Sequence, residues 1–184
     1  MRRVVLSKYG RTMAVRDDEV DLLIDAWGQR LPDVDLTPLD VMSRLRRVAA
    51  RLARLRAGAF RTARLAAWEF DVLAALRRAD PPHQLAPAQL IERTMTSSAG
   101  MSARLASLME RGLIEREPNP NDGRSILVRI TAEGATRVDI AMRELVRREE
   151  EALAGVSPRD RAELIRLLRL LMDVDEADAG DETG

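Results

Sequence analysis

Small polar and basic side chains are concentrated in one stretch of the sequence, residues 96–131. Its first part carries hydroxyl-bearing residues separated by alanines: Thr96, Ser97, Ser98, Ala99, Ser102, Ala103 and Ser107. Hydroxyl groups can donate to or accept from base edges and phosphates, and small side chains let a helix backbone lie deep in a major groove. Its second part holds a loop with an arginine, Arg124, at the far side. These residue types predict contacts with nucleic acid.

A helix must position the serine and alanine side chains. On a helical projection at about 100° per residue, one side carries the large apolar residues Met101, Leu105 and Leu108. The opposite side carries Ala99, Ser102, Ala103 and Ala106. Gly112 follows the last apolar residue and predicts a C-terminal cap with a positive φ. The pattern indicates one buried and one slim exposed face, although an ordinary surface helix that is short of lysine and glutamate would look the same.

A β-hairpin is predicted directly after this helix. Residues 113–117 and 126–130 are short strand-like runs, and the prolines, asparagines and glycine between them are loop formers. Before the helix, Pro87 opens a short helix to about Arg93, and a Thr-Met-Thr-Ser turn connects the two. A short helix, a tight turn, a longer helix and a basic-rimmed hairpin form a winged helix-turn-helix. We therefore predict a mainly α fold with a small β-hairpin wing.

Periodicity and capping signals predict the other helices. Apolar spacing indicates a helix over 16–30, and the run TPLD at 37–40 is a capping start for a helix to about Arg56, with Gly58 as its stop. Further helices are predicted over 65–79, from Thr131 to about 153, and from the capping run SPRD at 157–160 to about 173. The fold class that follows is mainly helical.

Composition excludes several classes of function. The 184 residues contain no cysteine, which rules out disulfides, thiolate metal sites and thiol catalysis. No apolar run approaches the length of a membrane span and the N-terminus lacks a signal-peptide core, so we predict a cytoplasmic protein without membrane contact. The single histidine, His83, lies in a loop without a metal partner and is expected to be exposed. With no nucleophile motif or phosphate loop, we predict no enzyme activity, metal or cofactor.

The net charge of zero conceals a segregated charge distribution. Residues 41–68 carry eight arginines and no acid, whereas residues 173–184 carry six acids and no base. Segregated charge can leave a positive surface for phosphate even when the sum is zero. Most of these arginines fit the solvent side of an amphipathic helix equally well, with one or two of them contacting DNA.

The last predicted helix has apolar residues on more than one face: Leu164, Ile165, Leu167, Leu168, Leu170, Leu171 and Met172. A monomer without further elements cannot bury so wide a stripe. We therefore predict a homodimer through the first and the two terminal helices, which places two reader helices in successive major grooves. A monomer that folds these helices onto its own core is the alternative.

The predicted organisation has five parts. They are a flexible basic extension (1–12), N-terminal helices for dimerisation and ligand binding (13–60), a DNA-binding domain (61–131), C-terminal dimerisation helices (132–173) and a disordered acidic tail (174–184).

The order of the helices and two sequence runs, SSAGMSARLASLMERGLIERE and NPNDGRSILVRIT, resemble the MarR family of bacterial transcription regulators over about residues 16–172. The runs WGQRLPDVDLTPLDVMSRLRRVAARLARL and AWEFDVLAALRRADPPHQL are similar to the branch of urate-responsive and related repressors. The resemblance implies a homodimer that binds a pseudo-palindromic operator in double-stranded DNA. It also implies release by a small aromatic or purine-like anion such as urate.

The resemblance assigns roles in the wing and the reader helix. The family motif of an acid, any residue and an arginine falls on Asp122, Gly123 and Arg124. Arg124 would enter the minor groove, and Asp122 would hold it by a bidentate pair. Family members usually carry a second arginine at position 123 and a threonine–asparagine pair where this chain has Ser102 and Ala103. The missing amide removes an adenine contact, which puts the customary operator sequence in doubt.

Four residues match the ligand site of the urate-responsive branch: Trp27, Asp71, Arg104 and Arg116. Arg104 lies about 60° from Met101 on the helical projection, so its guanidinium needs a partner, for which Asp71 is the obvious candidate. The same pattern fits a structural ion pair with Trp27 as interface packing. A second function also stays open, a dimeric winged-helix module that binds protein without specific DNA binding. Gly123, Ala103 and the neutral net charge favour it.

Overall fold

The computed structural model describes residues 18–120 and 122–178, with the side chains of 122–124 and 174–178 outside the described part. The helices are α1 (Glu19–Arg30), α2 (Thr37–Thr62), α3 (Ala67–Arg77), α4 (Pro87–Thr94), α5 (Ser98–Glu110), α6 (Ala132–Ala152) and α7 (Pro158–Asp178). The strands are β1 (Gln84–Leu85), β2 (Ile114–Asn119) and β3 (Asp122–Ile130). The predicted mainly α fold with a small β-hairpin is confirmed. The predicted extension 1–12 lies outside the described residues.

The chain divides into two compact units between Arg54 and Leu55. In the first unit, the Asp18 carboxylate accepts hydrogen bonds from the backbone N–H groups of Val20 (2.8 Å) and Asp21 (3.2 Å) and so caps α1. Arg44 of α2 donates to the Asp21 carboxylate at 2.7 Å and to Asp18 at 3.3 Å. The hydrogen bond from the backbone N–H of Asp18 and the side chain of Arg44 both lower the pKa of the Asp21 carboxyl. Polar contacts thus join α1 to the start of α2.

The core of the second unit lies around α3. Residues 72–76 are fully buried, and the ring of Phe70 stacks on Phe60 of α2 with centroids 4.0 Å apart. Aromatic pairs of this kind add about 0.5–1.5 kcal/mol to the burial of the rings. Leu90 of α4 and Leu108 of α5 complete the same core. The helix-turn-helix therefore packs directly onto α3.

The hairpin belongs to a three-stranded antiparallel sheet in the order β1-β3-β2. Ile114 pairs with Ile130 in the β2–β3 ladder, and Leu85 of β1 pairs with Val128. The sequence did not predict β1, because two residues between prolines carry no strand signal of their own. Strands β2 and β3 are also longer than predicted and extend to Asn119 and from Asp122.

Gly58 does not end α2 as predicted, because the helix continues to Thr62. A Cβ at this position would collide with the guanidinium of Arg148, which approaches from α6. The glycine leaves room for the end of a long side chain from a neighbouring helix, a contact that local sequence does not reveal. The predicted N-cap of α2 also differs. Thr37 was expected to cap the helix, but its own backbone N–H donates to the Asp35 carboxylate at 3.0 Å.

Helix α7 continues to Asp178, five residues past its predicted end and into the segment 174–184 that was predicted to be disordered. The capping signals of the other helix ends are confirmed. Gly112 has a φ of +67° at the end of α5. Thr131 caps α6 by accepting the Gly134 N–H at 3.0 Å, and Ser157 caps α7 by accepting the Asp160 N–H at 3.2 Å. Over the described ranges, none of the helices is long and apolar enough to cross a bilayer.

Candidate nucleic-acid interface and effector site

Helix α5 has the two faces that the projection predicted. Met101, Leu105 and Leu108 are buried, and the face with Ser98, Ala99, Ser102 and Ala103 is exposed. Ser97 is the N-cap and accepts the Gly100 N–H at 3.3 Å, while Ser107 is half-buried. The solvent side of α5 is therefore built from side chains no larger than serine over its first two turns.

The turn between α4 and α5 is closed by two threonines. Met95 takes a left-handed conformation with a φ of +49° and is 96 % exposed. The hydroxyl of Thr96 donates to the Thr94 carbonyl at 3.2 Å and accepts from Nη1 of Arg104 at 2.6 Å. Thr96 was predicted to contact DNA, and the structure shows its hydroxyl engaged within the protein.

Arg104 and Asp71 do not form the predicted ion pair. The Arg104 guanidinium lies over the ring of Trp68, 5.7 Å from its centroid, and bonds to Thr96. Asp71 instead lies 3.8 Å from Arg56 of α2. The helical projection correctly placed Arg104 near the core, since its side chain is half-buried. It could not show that the neighbours on that side are an indole ring and a hydroxyl.

The two other predicted ligand residues are exposed. Trp27 lies on α1 in the first unit and is 46 % exposed. Arg116 lies on β2, opposite Val128 in the ladder, with an exposed side chain. Arg104 and Asp71, both in the second unit, have separate partners in the described part of the chain.

A cavity of about 300 Å³ lies where α2, α3, α4 and α6 meet within the second unit. Asp71 borders it together with Arg56, Arg78 and Arg93. These arginines were not among the predicted site residues. In the sequence, Arg78 and Arg93 are notable only for their positions at the C-terminal ends of α3 and α4. Basic residues are common at such ends because they interact favourably with the helix dipole, whether or not a site is present.

The wing is held by hydrogen bonds along its stem. Arg129 of β3 donates to the carboxylates of Glu117 (2.8 Å) and Glu115 (2.7 Å) across the ladder. Near the tip, the amide of Asn119 donates to the Ser125 hydroxyl at 2.8 Å. The backbone of Asp122, Gly123 and Arg124 belongs to β3, and their predicted side-chain roles lie outside the described part of the structure.

His83 is not the exposed loop residue that was predicted. A left-handed backbone, with a φ of +61°, turns it back onto the end of α3, where its Nδ1 lies 2.7 Å from the Ala79 carbonyl. Its Nε2 lies 3.2 Å from Nη1 of Arg77, which also donates two hydrogen bonds to Asp139 of α6 at 3.1 and 3.0 Å. These bonds from Arg77 lower the pKa of Asp139. Within the described ranges, no group of acidic and histidine side chains could hold a metal ion.

Comparison with known proteins identifies the family. Residues 65–125 match the model of the MarR family. The transcriptional regulator PecS of Dickeya dadantii is 31 % identical over 150 residues, which cover 82 % of this chain and 90 % of PecS. The chain belongs to the MarR family. The transcriptional repressor NicR of Pseudomonas putida is 28 % identical to this MarR-family chain over 78 % of its length and 91 % of NicR.

Solved structures of MarR-family proteins agree with this assignment. A mutant MarR of E. coli in complex with operator DNA superposes with a TM-score of 0.62 at 25 % identity, covering 75 % of this chain and 99 % of that one. BpsR of Bordetella bronchiseptica, whose DNA binding is regulated by 6-hydroxynicotinic acid, gives 0.60 at 25 % identity over 72 % and 93 % of the two chains. The protein is thus a DNA-binding transcriptional regulator, and its named relatives are regulators and not enzymes.

Proposed function

We propose that this MarR-family regulator is a homodimeric repressor of a pseudo-palindromic operator and that a small aromatic or purine-like anion, such as urate, releases it. The exposed serine and alanine face of α5 carries the proposal. A helix with such small side chains can approach the base edges of a major groove closely. Because a transcription regulator acts on DNA inside the cell, we propose the cytoplasm as the location.

Base recognition would depend on a few small groups. The Ser102 hydroxyl donates to the Ser98 carbonyl at 3.2 Å, so its lone pairs are left to accept from an amino group of adenine or cytosine. The methyl groups of Ala99 and Ala103 suit the methyl group of thymine. Since Ala103 cannot form the two hydrogen bonds of an asparagine with adenine, we expect a different operator base at that position.

The wing would add a contact in the flanking minor groove. In the proposal Arg124 enters that groove and Asp122 orients its guanidinium. With Gly123 beside it, the tip of the wing, residues 118–125, offers one arginine per subunit. Each arginine near the phosphates releases about one counterion, which makes its contribution dependent on salt.

The proposed dimer would bring two α5 helices to one operator. The apolar side chains of α7 are exposed in the single chain, Leu167 and Leu170 among them, and would be buried against a second copy. Reader helices about 34 Å apart contact successive major grooves on the same side of the duplex. An anion that changes this spacing prevents simultaneous contact with both half-sites and removes most of the affinity gained by linking them.

The relatives favour a ligand-responsive repressor. NicR is named a transcriptional repressor, and the BpsR structure concerns regulation of DNA binding by 6-hydroxynicotinic acid. Of the residues suggested for the effector, Trp27 and Arg116 are exposed, whereas Arg104 is engaged with Thr96 and Trp68. We therefore expect the anion to bind a different group and to affect the reader helix through it.

Fluorescence anisotropy with the duplex upstream of the protein's own coding region tests the proposal. We expect specific binding that Arg124→Ala weakens, with a salt slope reduced by about 1 per lost phosphate contact, while Arg159→Ala on α7 leaves both unchanged. Urate, xanthine and salicylate are then added to the complex to measure release. The absence of any duplex binding that weakens steeply with salt, with no effect of Arg124→Ala, would favour a protein-interaction module instead.

A further inference from the structure

All four polar groups of His83 are engaged in hydrogen bonds. Its backbone N–H donates to the Asp80 carbonyl at 2.8 Å, and its own carbonyl accepts from the Ile130 N–H at 3.3 Å. In the ring, Nδ1 lies 2.7 Å from the Ala79 carbonyl and Nε2 lies 3.2 Å from Nη1 of Arg77. His83 therefore links the end of α3 to the base of strand β3.

The ring contacts of His83 admit only one form of the imidazole. A carbonyl oxygen can only accept, so Nδ1 must carry the proton that is donated to Ala79. A guanidinium can only donate, so Nε2 must be unprotonated in order to accept from Arg77. The arrangement therefore requires the neutral ring in its Nδ1–H tautomer.

A second proton on the ring would be opposed by the charges around it. It would remove the hydrogen bond from Arg77 and place an imidazolium 3.2 Å from a guanidinium nitrogen. The other charged groups of this cluster are Asp139 and Arg143, both on α6. Without a charge on His83 the cluster already has two cations and one anion, so protonation would add a third cation.

Carboxylates on the neighbouring elements are otherwise engaged. Both oxygens of Asp139 accept hydrogen bonds from Arg77, at 3.1 and 3.0 Å. Asp80, in the loop before His83, has an exposed side chain, and on the sheet side Arg129 of β3 is bound to the two glutamates of β2, Glu115 and Glu117. Among these carboxylates, only Asp139 shares a hydrogen-bond partner with His83, and that partner occupies both of its oxygens.

His83 lies where the chain enters the sheet that carries the wing. Its φ of +61° is uncommon for a residue other than glycine and must be held by its surroundings. The next residue, Gln84, pairs with Arg129 of β3, and Arg129 holds β2 through its glutamates. A ring that leaves Arg77 therefore loosens the point at which β1 holds the base of the hairpin.

We propose that His83 positions the wing for DNA through its neutral imidazole and that protonation of this ring weakens DNA binding. The proposal rests on the contact between the wing and DNA proposed above. Histidine is the side chain whose charge ordinarily changes between about pH 5 and 8, and the chain contains only one. DNA binding should fall as the pH is lowered from 7.0 to 5.5, because the neutral ring is the form that holds the base of the wing.

Nitrogen-15 NMR of the full chain tests the state of the ring. Because His83 is the only histidine, labelling of histidine alone gives one pair of ring signals. We expect Nδ1–H and an unprotonated Nε2 at pH 7.0, and a shift of the Ile130 amide signal when the sample is titrated to pH 5.5. The Nε2–H tautomer at pH 7.0, or an Ile130 amide that does not respond, would overturn the inference.

Fluorescence anisotropy with the duplex upstream of the coding region tests the consequence for DNA. For the wild type we expect a dissociation constant roughly three- to tenfold higher at pH 5.5 than at pH 7.0, since an imidazole in water is mostly charged at the lower value. His83→Asn should bind equally at both pH values, because asparagine tolerates a positive φ and does not titrate. Arg77→Gln should reduce the difference, because it removes the opposing cation.

Arg137→Gln is the matched control for the arginine variant. Arg137 also lies beside this cluster in the chain, on α6, but it is paired with Glu133 of the same helix, so the variant should keep the pH dependence of the wild type. Urea unfolding at both pH values verifies that all variants are folded. If the upstream duplex is not bound specifically, the same comparison is made on random duplex, because a minor-groove arginine also contacts DNA of other sequences.

The outcomes separate this inference from the proposed function. If Arg124→Ala weakens binding but wild type and His83→Asn lose the same affinity at pH 5.5, the wing contact is supported and the role of His83 is wrong. If Arg124→Ala has no effect while the wild type loses affinity at pH 5.5 and His83→Asn does not, the role of the ring is supported and the proposed contact of Arg124 is wrong.

Discussion

The Glu69 carboxylate in the first turn of α3 forms an ion pair with Arg111, the residue that ends the reader helix α5. Glu69 is only 4 % exposed, and its second oxygen accepts the Ala66 N–H at 2.8 Å. Arg111 also donates to the Arg64 carbonyl at 2.7 Å. Arg104, from the middle of α5, donates to Thr96 in the turn before the helix, so arginine hydrogen bonds fix both the start and the end of α5.

Replacing Arg111 should destabilise the protein more than an ordinary surface substitution. Arg111→Met leaves the buried Glu69 carboxylate without its cation, and we expect a loss of about 2 kcal/mol in the free energy of unfolding. Urea unfolding followed by circular dichroism measures the loss. The double variant Glu69→Met/Arg111→Met should recover part of it, because no charge is left buried. Equal stability of Arg111→Met and wild type would show that the pair contributes nothing.

Gly134 should not tolerate a methyl group. A Cβ there would meet the carbonyl oxygen of Leu113 and the side chain of Ile130, which pack closely against the first turn of α6. We expect Gly134→Ala to lower the free energy of unfolding by about 1–3 kcal/mol, the usual cost of overpacking. Gly155→Ala is the matched control, because a Cβ at Gly155 meets nothing within 4 Å. The contact is unimportant if both variants unfold at the same urea concentration.

The Arg77–Asp139 pair should stabilise the fold at neutral pH and not in acid. The pKa of Asp139 is lowered below its ordinary value of 3.8 by the bonds from Arg77. The pair stabilises the fold fully at pH values above the pKa that Asp139 has in the unfolded chain. This stabilisation is lost as the pH falls below about 4 and passes through the lower pKa of Asp139 in the folded protein. Urea unfolding of wild type and Asp139→Asn should therefore differ at pH 7, by less than about 1 kcal/mol for so accessible a pair, and converge towards pH 3. If the difference in unfolding free energy between the two proteins did not change with pH, the pKa of Asp139 would not be linked to stability. Glu92→Gln serves as the control.

A charge on the apolar side of α7 should separate the proposed dimer. Leu167 is exposed in the single chain, and burial of a leucine contributes about 1.5–3 kcal/mol. Leu167→Glu should therefore raise the dimer dissociation constant at least tenfold, as measured by sedimentation equilibrium at micromolar concentration. Arg169→Glu on the same helix controls for the added charge. A wild-type protein that sediments with the mass of one chain would contradict the proposal directly.

Local signals predicted the helices well because caps and periodicity act over a few residues. Gly112, Thr131 and Ser157 mark their helix ends in the sequence and in the structure alike. Gly58 was misassigned because its role depends on Arg148, ninety positions away along the chain. Strand β1 was missed for the same reason, since Gln84 becomes a strand residue only when Arg129 pairs with it.

The candidate site was predictable only in part. The exposed and buried faces of α5 follow from the spacing of Met101, Leu105 and Leu108. A projection of one helix does not identify the neighbouring helix, so the partners of Arg104 and Asp71 were wrong. Arg78 and Arg93 converge because α3 and α4 end at the same place, which is a property of the packing and not of either helix alone.

Strand β1 has only two residues, but it pairs with β3 immediately before α4 begins, and the Ile130 N–H lies 3.3 Å from the His83 carbonyl. The base of the hairpin is therefore attached to the same chain segment that leads into the helix-turn-helix. A rotation of α4 would therefore move the hairpin and α5 together as one rigid group. In the proposed dimer, an effector that rotates α4 would therefore change the distance between the two reader helices without changing how each helix is positioned relative to its own wing.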